Sequence, residues 1–140
     1  MIARGNVVKL SVDISDTPGL REKHMYVCSE ANLGHKEFAN CTTSAGKLLL
    51  RHKLKGPQST LVVLSRNENP KSPFDKMTDI ILDCVYIVDN VRVDQCLLTV
   101  PPMLPKSIED EFFRRFTPST KRILDTDSVC KFNKFVYSPY

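Results

Sequence analysis

Lys47, Arg51, Lys53 and Lys55 stand at odd positions of one stretch, and in an extended chain odd positions share a face. They would line one side of about 27 Å of backbone, and such a strip of like charge is relieved when an anion covers it. Arg114, Arg115, Lys121 and Arg122 form a second basic cluster. Near the C-terminus Lys131 and Lys134 bracket Phe132, with Phe135 and Tyr137 just beyond. Phosphate oxygens are natural partners for these cations, and exposed aromatic rings stack on bases. The competing reading is a solvated face, since alternating lysine and arginine also blunts an edge strand.

Other chemistry finds less support. His24, Cys28, His35 and Cys41 lie close in sequence but lack the paired short spacings of structural zinc sites. On a strand His24 and Cys28 would sit roughly 13 Å apart. Asp16-Thr17-Pro18-Gly19 and Ala45-Gly46-Lys47 resemble fragments of nucleotide-binding motifs. A phosphate loop, however, needs glycine where Cys41 stands and serine or threonine where Leu48 stands. No local signature surrounds any cysteine to mark a nucleophile beside a histidine, and His52 falls on the leucine face of its strand. Asp13, Asp79, Asp83, Asp89 and Asp94 read as turn or wet-face residues rather than a catalytic carboxylate pair. No catalytic, metal or cofactor site is expected.

The elements that must carry these residues are mostly strands, because period-2 alternation dominates. Val8, Leu10, Val12 and Ile14 alternate with Val7, Lys9, Ser11 and Asp13, which gives one apolar face and one mostly wet face. Residues 24–30 are a second candidate strand, 47–55 a third, and 60–65 a short apolar fourth. Residues 67–73, rich in asparagine and proline, are a loop. Two apolar runs meet at Asp89-Asn90, a hairpin turn that would pair Val88 with Val91 and Tyr86 with Val93. Its core face would hold Leu82, Tyr86, Val88, Val91, Val93 and Leu97. Pro101, Pro102 and Pro105 stop the sheet. A helix follows over about 107–116, capped by Ser107 and burying Ile108, Phe112 and Phe116 at helical spacing. Residues 129–137 close the chain as a final strand.

The opening, Lys9-Leu10-Ser11-Val12-Asp13, then Pro18-Gly19-Leu20, then Met25-Tyr26-Val27, is loosely similar to the first two strands of C2 domains. The resemblance covers some forty residues and implies a β-sandwich. The loop aspartates that bind calcium in that family have no residue-by-residue match here.

The chain has 140 residues, 41% of them hydrophobic and 26% charged, with a net charge of +4. That length fits one domain with a real core and excludes a fibrous or disordered chain. No apolar run approaches the roughly 18–20 residues that span a bilayer, and residues 1–10 lack a secretory signal pattern. Five scattered cysteines without a CxxC fit free thiols in a reducing compartment, cytoplasmic or nuclear. The sequence therefore points to a single all-β sandwich or partly open barrel of six to seven mainly antiparallel strands, with one short helix near the C-terminus. The expected role is non-enzymatic binding and assembly. Lys47, Arg51, Lys53 and Lys55, with Arg114, Arg115, Lys121 and Arg122, would contact RNA, DNA or an anionic lipid surface. By fold-level analogy this suits a viral matrix-like or nucleoprotein-associated factor. Protein partners or a homo-oligomer are expected, and no small-molecule substrate. The alternatives are a protein–protein module using a sheet edge, C2-like in form, and a Cys/His-dependent enzyme.

Overall fold

A computed structural model describes residues 2–12, 23–43 and 59–138. The chain is β-dominated, as its alternation implied: a curled, mainly antiparallel sheet forms a half-barrel. The principal strands are β1 (Asn6–Ser11), β2 (Lys23–Ala31), β3 (Lys36–Thr42), β4 (Thr60–Val63), β5 (Thr78–Ile81), β6 (Cys84–Val88), β8 (Leu98–Met103) and β9 (Thr120–Ile123). Their order is β4-β5-β3-β2-β1-β8, with β6 also pairing β3 and β9 lying parallel to β6. A separate ribbon joins β7 (Arg92–Val93) to β10 (Val136–Tyr137). The described residues contain two helices, α1 (Lys106–Arg115) and α2 (Thr126–Phe132).

The sheet forks beside β3. Lys36 to Phe38 pair with β6, whereas Cys41 and Thr42 pair with β5. Between the Phe38–Tyr86 and Cys41–Ile80 pairs, two residues of β3 face five of the partner chain, an irregularity of the bulge kind. The surplus at Leu82-Asp83 serves both branches. The Leu82 amide donates to the Ser59 carbonyl, and the Asp83 carbonyl accepts the Ser119 and Thr120 amides.

Alternation of side chains builds a core on each face of the sheet. On the concave face Val8, Leu10, Val12, Tyr26, Cys28, Phe38, Tyr86 and Val88 meet Val93, Leu124, Val129 and Val136. Tyr26 meets Phe38 and Tyr86 edge-on, with ring centroids 6.2 and 5.9 Å apart. The residual cavity there is about 10 Å³, no more than one water's worth, so the half-barrel is packed and not a ligand chamber. On the opposite face Val7, Val27, Ala39, Cys41, Phe74 and Ile80 receive Phe112 of α1, which stacks on Phe116 at 4.9 Å.

Several sequence expectations change. Strand residues 47–55 and the C2-like Pro18-Gly19-Leu20 lie outside the described residues. The chain does bend at Asn90, whose φ is 57°, but β6 pairs with β3 and β9, and β7 pairs with β10. The expected hairpin is thus replaced by non-local ladders, although its six core-face residues are all buried. Pro101 and Pro102 lie within β8 instead of ending the sheet, a placement open to an edge strand that pairs only with β1. The helix begins at Lys106 with Pro105 at its cap, so Ser107 is one turn position inside and caps nothing. Residues 129–137 are not one strand: Asp125 caps α2 by accepting the Ser128 amide, and only Val136–Tyr137 is extended. The described residues hold two helices where one was expected, and their strands exceed the expected seven.

Candidate anion-binding groove

Along one face of β1 Val7 is fully buried, Lys9 is exposed and Ser11 is half-buried. The step from Val7 to Lys9 marks where the described cover of the second core ends. α1 and the 64–77 loop lie over Val7, Val27 and Cys41, and among the described residues nothing covers the sheet beyond them. The opening is a groove of about 530 Å³ lined by Lys9, Lys23, His24, Met25, Arg66 and Asp75, among others. The ladder pairs Lys9 with Met25 and Ser11 with Lys23, which makes Lys9 and Lys23 diagonal neighbours on one face, about 7–8 Å apart at the backbone.

The far wall is built by the 64–77 loop. Phe74 is buried in the second core, and the Arg66 amide donates to its carbonyl at 2.8 Å. The Ser72 hydroxyl donates to the Leu64 carbonyl and accepts the Phe74 amide. Anchored in this way, Pro73 and Asp75 flank Phe74 at the groove. Arg66 spans the groove's end, donating to the Val100 carbonyl of β8 at 2.9 Å and ion-pairing with Asp75. Thr99 closes the β8 side, its hydroxyl 2.8 Å from the Pro101 carbonyl and 3.3 Å from that of Val7, either of which can accept its one proton. Asp75 is therefore already matched, while Lys9 and Lys23 have no carboxylate partner among the described residues.

The residues expected from sequence fare differently. Lys47, Arg51, Lys53 and Lys55 lie outside the described residues. Arg114 is exposed and sits 3.8 Å from Glu111, one turn back on α1. Arg115 is half-buried: it meets the same carboxylate at 3.5 Å and donates to the Thr60 carbonyl at 2.9 Å, tying α1 to β4. Lys121 is exposed on β9, and Arg122 beside it is half-buried. These four belong to one stretch, the end of α1 and the following strand, and none lines the groove. Lys9, Lys23, His24 and Arg66 escape sequence reading because they come from three separate segments. The only local signal is Lys9 on the wet face of an otherwise apolar strand.

The cysteines are free, and burial pushes the Cys28 thiol up to about 12 and raises that of Cys41. Cys96 and Cys130 are raised as well, chiefly by desolvation. Thiols so shifted stay protonated near neutral pH. His24, Cys28, His35 and Cys41 do not converge; no metal-ligating group of three forms among the described residues. His35 instead faces two carboxylates, with Nε2 at 2.8 Å from Glu37 and Nδ1 at 2.5 Å from Asp89, and these contacts raise its pKa. Among the described residues no helix is long and apolar enough to cross a membrane. Comparison with models of known protein families gives no match, and comparison with curated proteins gives no significant similarity.

Proposed function

We propose that this is a non-enzymatic binding and assembly protein whose partner is a polyanion, nucleic acid or an acidic membrane surface. The observation that carries the reading is the groove. Lys9 and Lys23 converge there with His24 and Arg66, and the carboxylate present, Asp75, is neutralised by Arg66. A concave site in which Lys9 and Lys23 meet no carboxylate among the described residues concentrates positive field and attracts phosphate groups. The strip Lys47, Arg51, Lys53 and Lys55 extends the same reading from sequence, and Arg114 and Lys121 serve as outlying contacts. Arg115 we assign to holding α1 on the sheet. Five free thiols support a reducing, intracellular setting.

Binding of labelled RNA, labelled DNA and anionic vesicles, each titrated against salt, tests this. The affinity should fall steeply and linearly on logarithmic axes, because phosphate contacts release counterions. Absence of binding to all three at ~50 mM salt overturns the reading.

A second reading, a protein–protein module, has one observation of its own. Among the described residues β9 pairs only with β6, and it presents Ile123, 80% exposed, on the sheet's edge. Such an edge can accept a strand from a partner or a second copy. Ile123→Lys abolishing self-association in light scattering would support it; an unchanged mass would not.

A further inference from the structure

Building on the groove reading, we propose that the polyanion is a single-stranded nucleic acid, and that the β7–β10 ribbon is the platform on which its bases stack. In the ribbon Val136 pairs with Val93 and Tyr137 with Arg92. Val136 and Val93 are buried in the concave core, so alternation turns Tyr137 and Arg92 outward. The Arg92 guanidinium lies 5.2 Å from the Tyr137 ring centre. Two residues earlier Phe135 repeats the arrangement, with Lys134 Nζ 5.6 Å from its ring. Both rings are 38% exposed, although the protein has core space for other aromatics buried to near zero. Exposed rings interleaved with cations are what a flexible strand of bases and phosphates uses: rings for stacking, cations for the backbone. Asp94, the carboxylate at this end, is turned to the Cys96 amide at 2.8 Å.

The platform is tied to the end of β1, whose other face carries the groove. Ser11 and Asn133 exchange two hydrogen bonds: the Ser11 amide donates to Asn133 Oδ1 at 2.7 Å, and Asn133 Nδ2 donates to the Ser11 carbonyl at 2.6 Å. Ser11 is the cross-strand partner of Lys23, and Lys134 follows Asn133. Lys23 at the groove's rim and Lys134 beside Phe135 are thus joined through one residue pair. A strand whose phosphates follow Lys9 and Lys23 would pass around the end of β1 at Ser11 to bring its next bases to Phe135 and Tyr137. A duplex keeps its bases stacked internally and offers none to these rings. Acidic lipid offers phosphate but no flat base.

The test compares fluorescein-labelled oligo(U) and oligo(dT) with a blunt RNA duplex of the same length, inorganic polyphosphate as competitor, and phosphatidylserine vesicles by co-sedimentation. Single strands should bind at least tenfold more tightly than the duplex. The oligo(U) and oligo(dT) arms distinguish RNA from DNA as the source. Phe135→Ala and Tyr137→Ala should each weaken oligonucleotide binding roughly tenfold while leaving polyphosphate binding unchanged. Phe135→Leu and Tyr137→Leu, which keep the bulk without the ring, should behave like the alanine variants, and circular dichroism should report an intact fold. Equal affinity for duplex and single strand, or aromatic variants with unchanged affinity, overturns the platform and leaves the groove reading standing. Vesicle binding that depends on Phe135 and Tyr137 without oligonucleotide binding assigns the surface to lipid and also overturns it. Failure of the wild-type protein to bind any polyanion removes the groove reading itself.

Discussion

The end of α1 and the groove are both rich in basic side chains, yet they differ in how that charge is spent. At the helix end Glu111 lies within 4.0 Å of both Arg114 and Arg115, and Arg115 is further committed to the Thr60 carbonyl. In the groove Asp75 and Arg66 neutralise each other, and Lys9 and Lys23 meet no carboxylate among the described residues. Equal counts of arginine and lysine therefore carry different meanings. Charge that closes on a helical neighbour mainly holds the fold, whereas charge assembled from separate strands over a concavity is available to a partner.

The sharpest way to break this comparison is Lys9→Glu with Lys23→Glu. Losing two phosphate contacts should lower affinity for oligonucleotide roughly twentyfold or more near 0.1 M salt, and reduce the logarithmic salt slope by about 1.5. Anisotropy titrations at several salt concentrations read both quantities. If Arg114→Glu has the larger effect, the assignment of roles is reversed. Next in size is Arg115→Ala, which should cost about 1–2 kcal/mol of stability in urea melts by removing the bond that ties α1 to the Thr60 carbonyl, with affinity unchanged. Arg66→Ala should weaken binding only a few-fold, by releasing Asp75 into the groove, and should move the melting midpoint little because the pair is largely exposed.

The smallest effect concerns a third charged cluster, His35 with Glu37 and Asp89. The folded pKa of His35 is raised above its ordinary 6.5, first by the Glu37 bond and then by Asp89. Its contribution is therefore complete below the unfolded value and fades as pH rises through the folded one. Melting temperatures of wild type and His35→Gln should differ below pH 6.5 and converge in alkaline buffer. The gap should correspond to under about 1 kcal/mol, since the side chain is a third exposed. A gap that widens with pH would contradict the assignment.

What the sequence disclosed was local. β1 announces itself because Val8, Leu10 and Val12 alternate with Lys9 and Ser11, and α1 because Ile108, Phe112 and Phe116 recur at helical spacing. β3 was not foreseen, since Lys36, Glu37 and Asn40 interrupt its apolar alternation. Its inward Lys36 is accommodated by donating to the Asn32 carbonyl at 2.7 Å, a partner visible only in three dimensions. Val88 and Val91 do share a buried face, but the pattern fixes the face and not the neighbour, so β6 could find β3 and β9 instead of β7. α2, at seven residues, is too short for periodicity to distinguish from a strand. The groove was invisible for the same reason that the hairpin misled. Its residues are assembled by pairing across the fold and not by spacing along the chain.

The clamp between Ser11 and Asn133 spans 122 positions, and β1 also waits for β8 before its second edge is filled. During synthesis β1 is made before either of these partners and is thus completed late. Until β8 and Asn133 emerge, that strand has an open edge and an unsatisfied amide, a window in which a nascent chain depends on chaperones or is exposed to mispairing. Replacing Asn133 would lengthen that window.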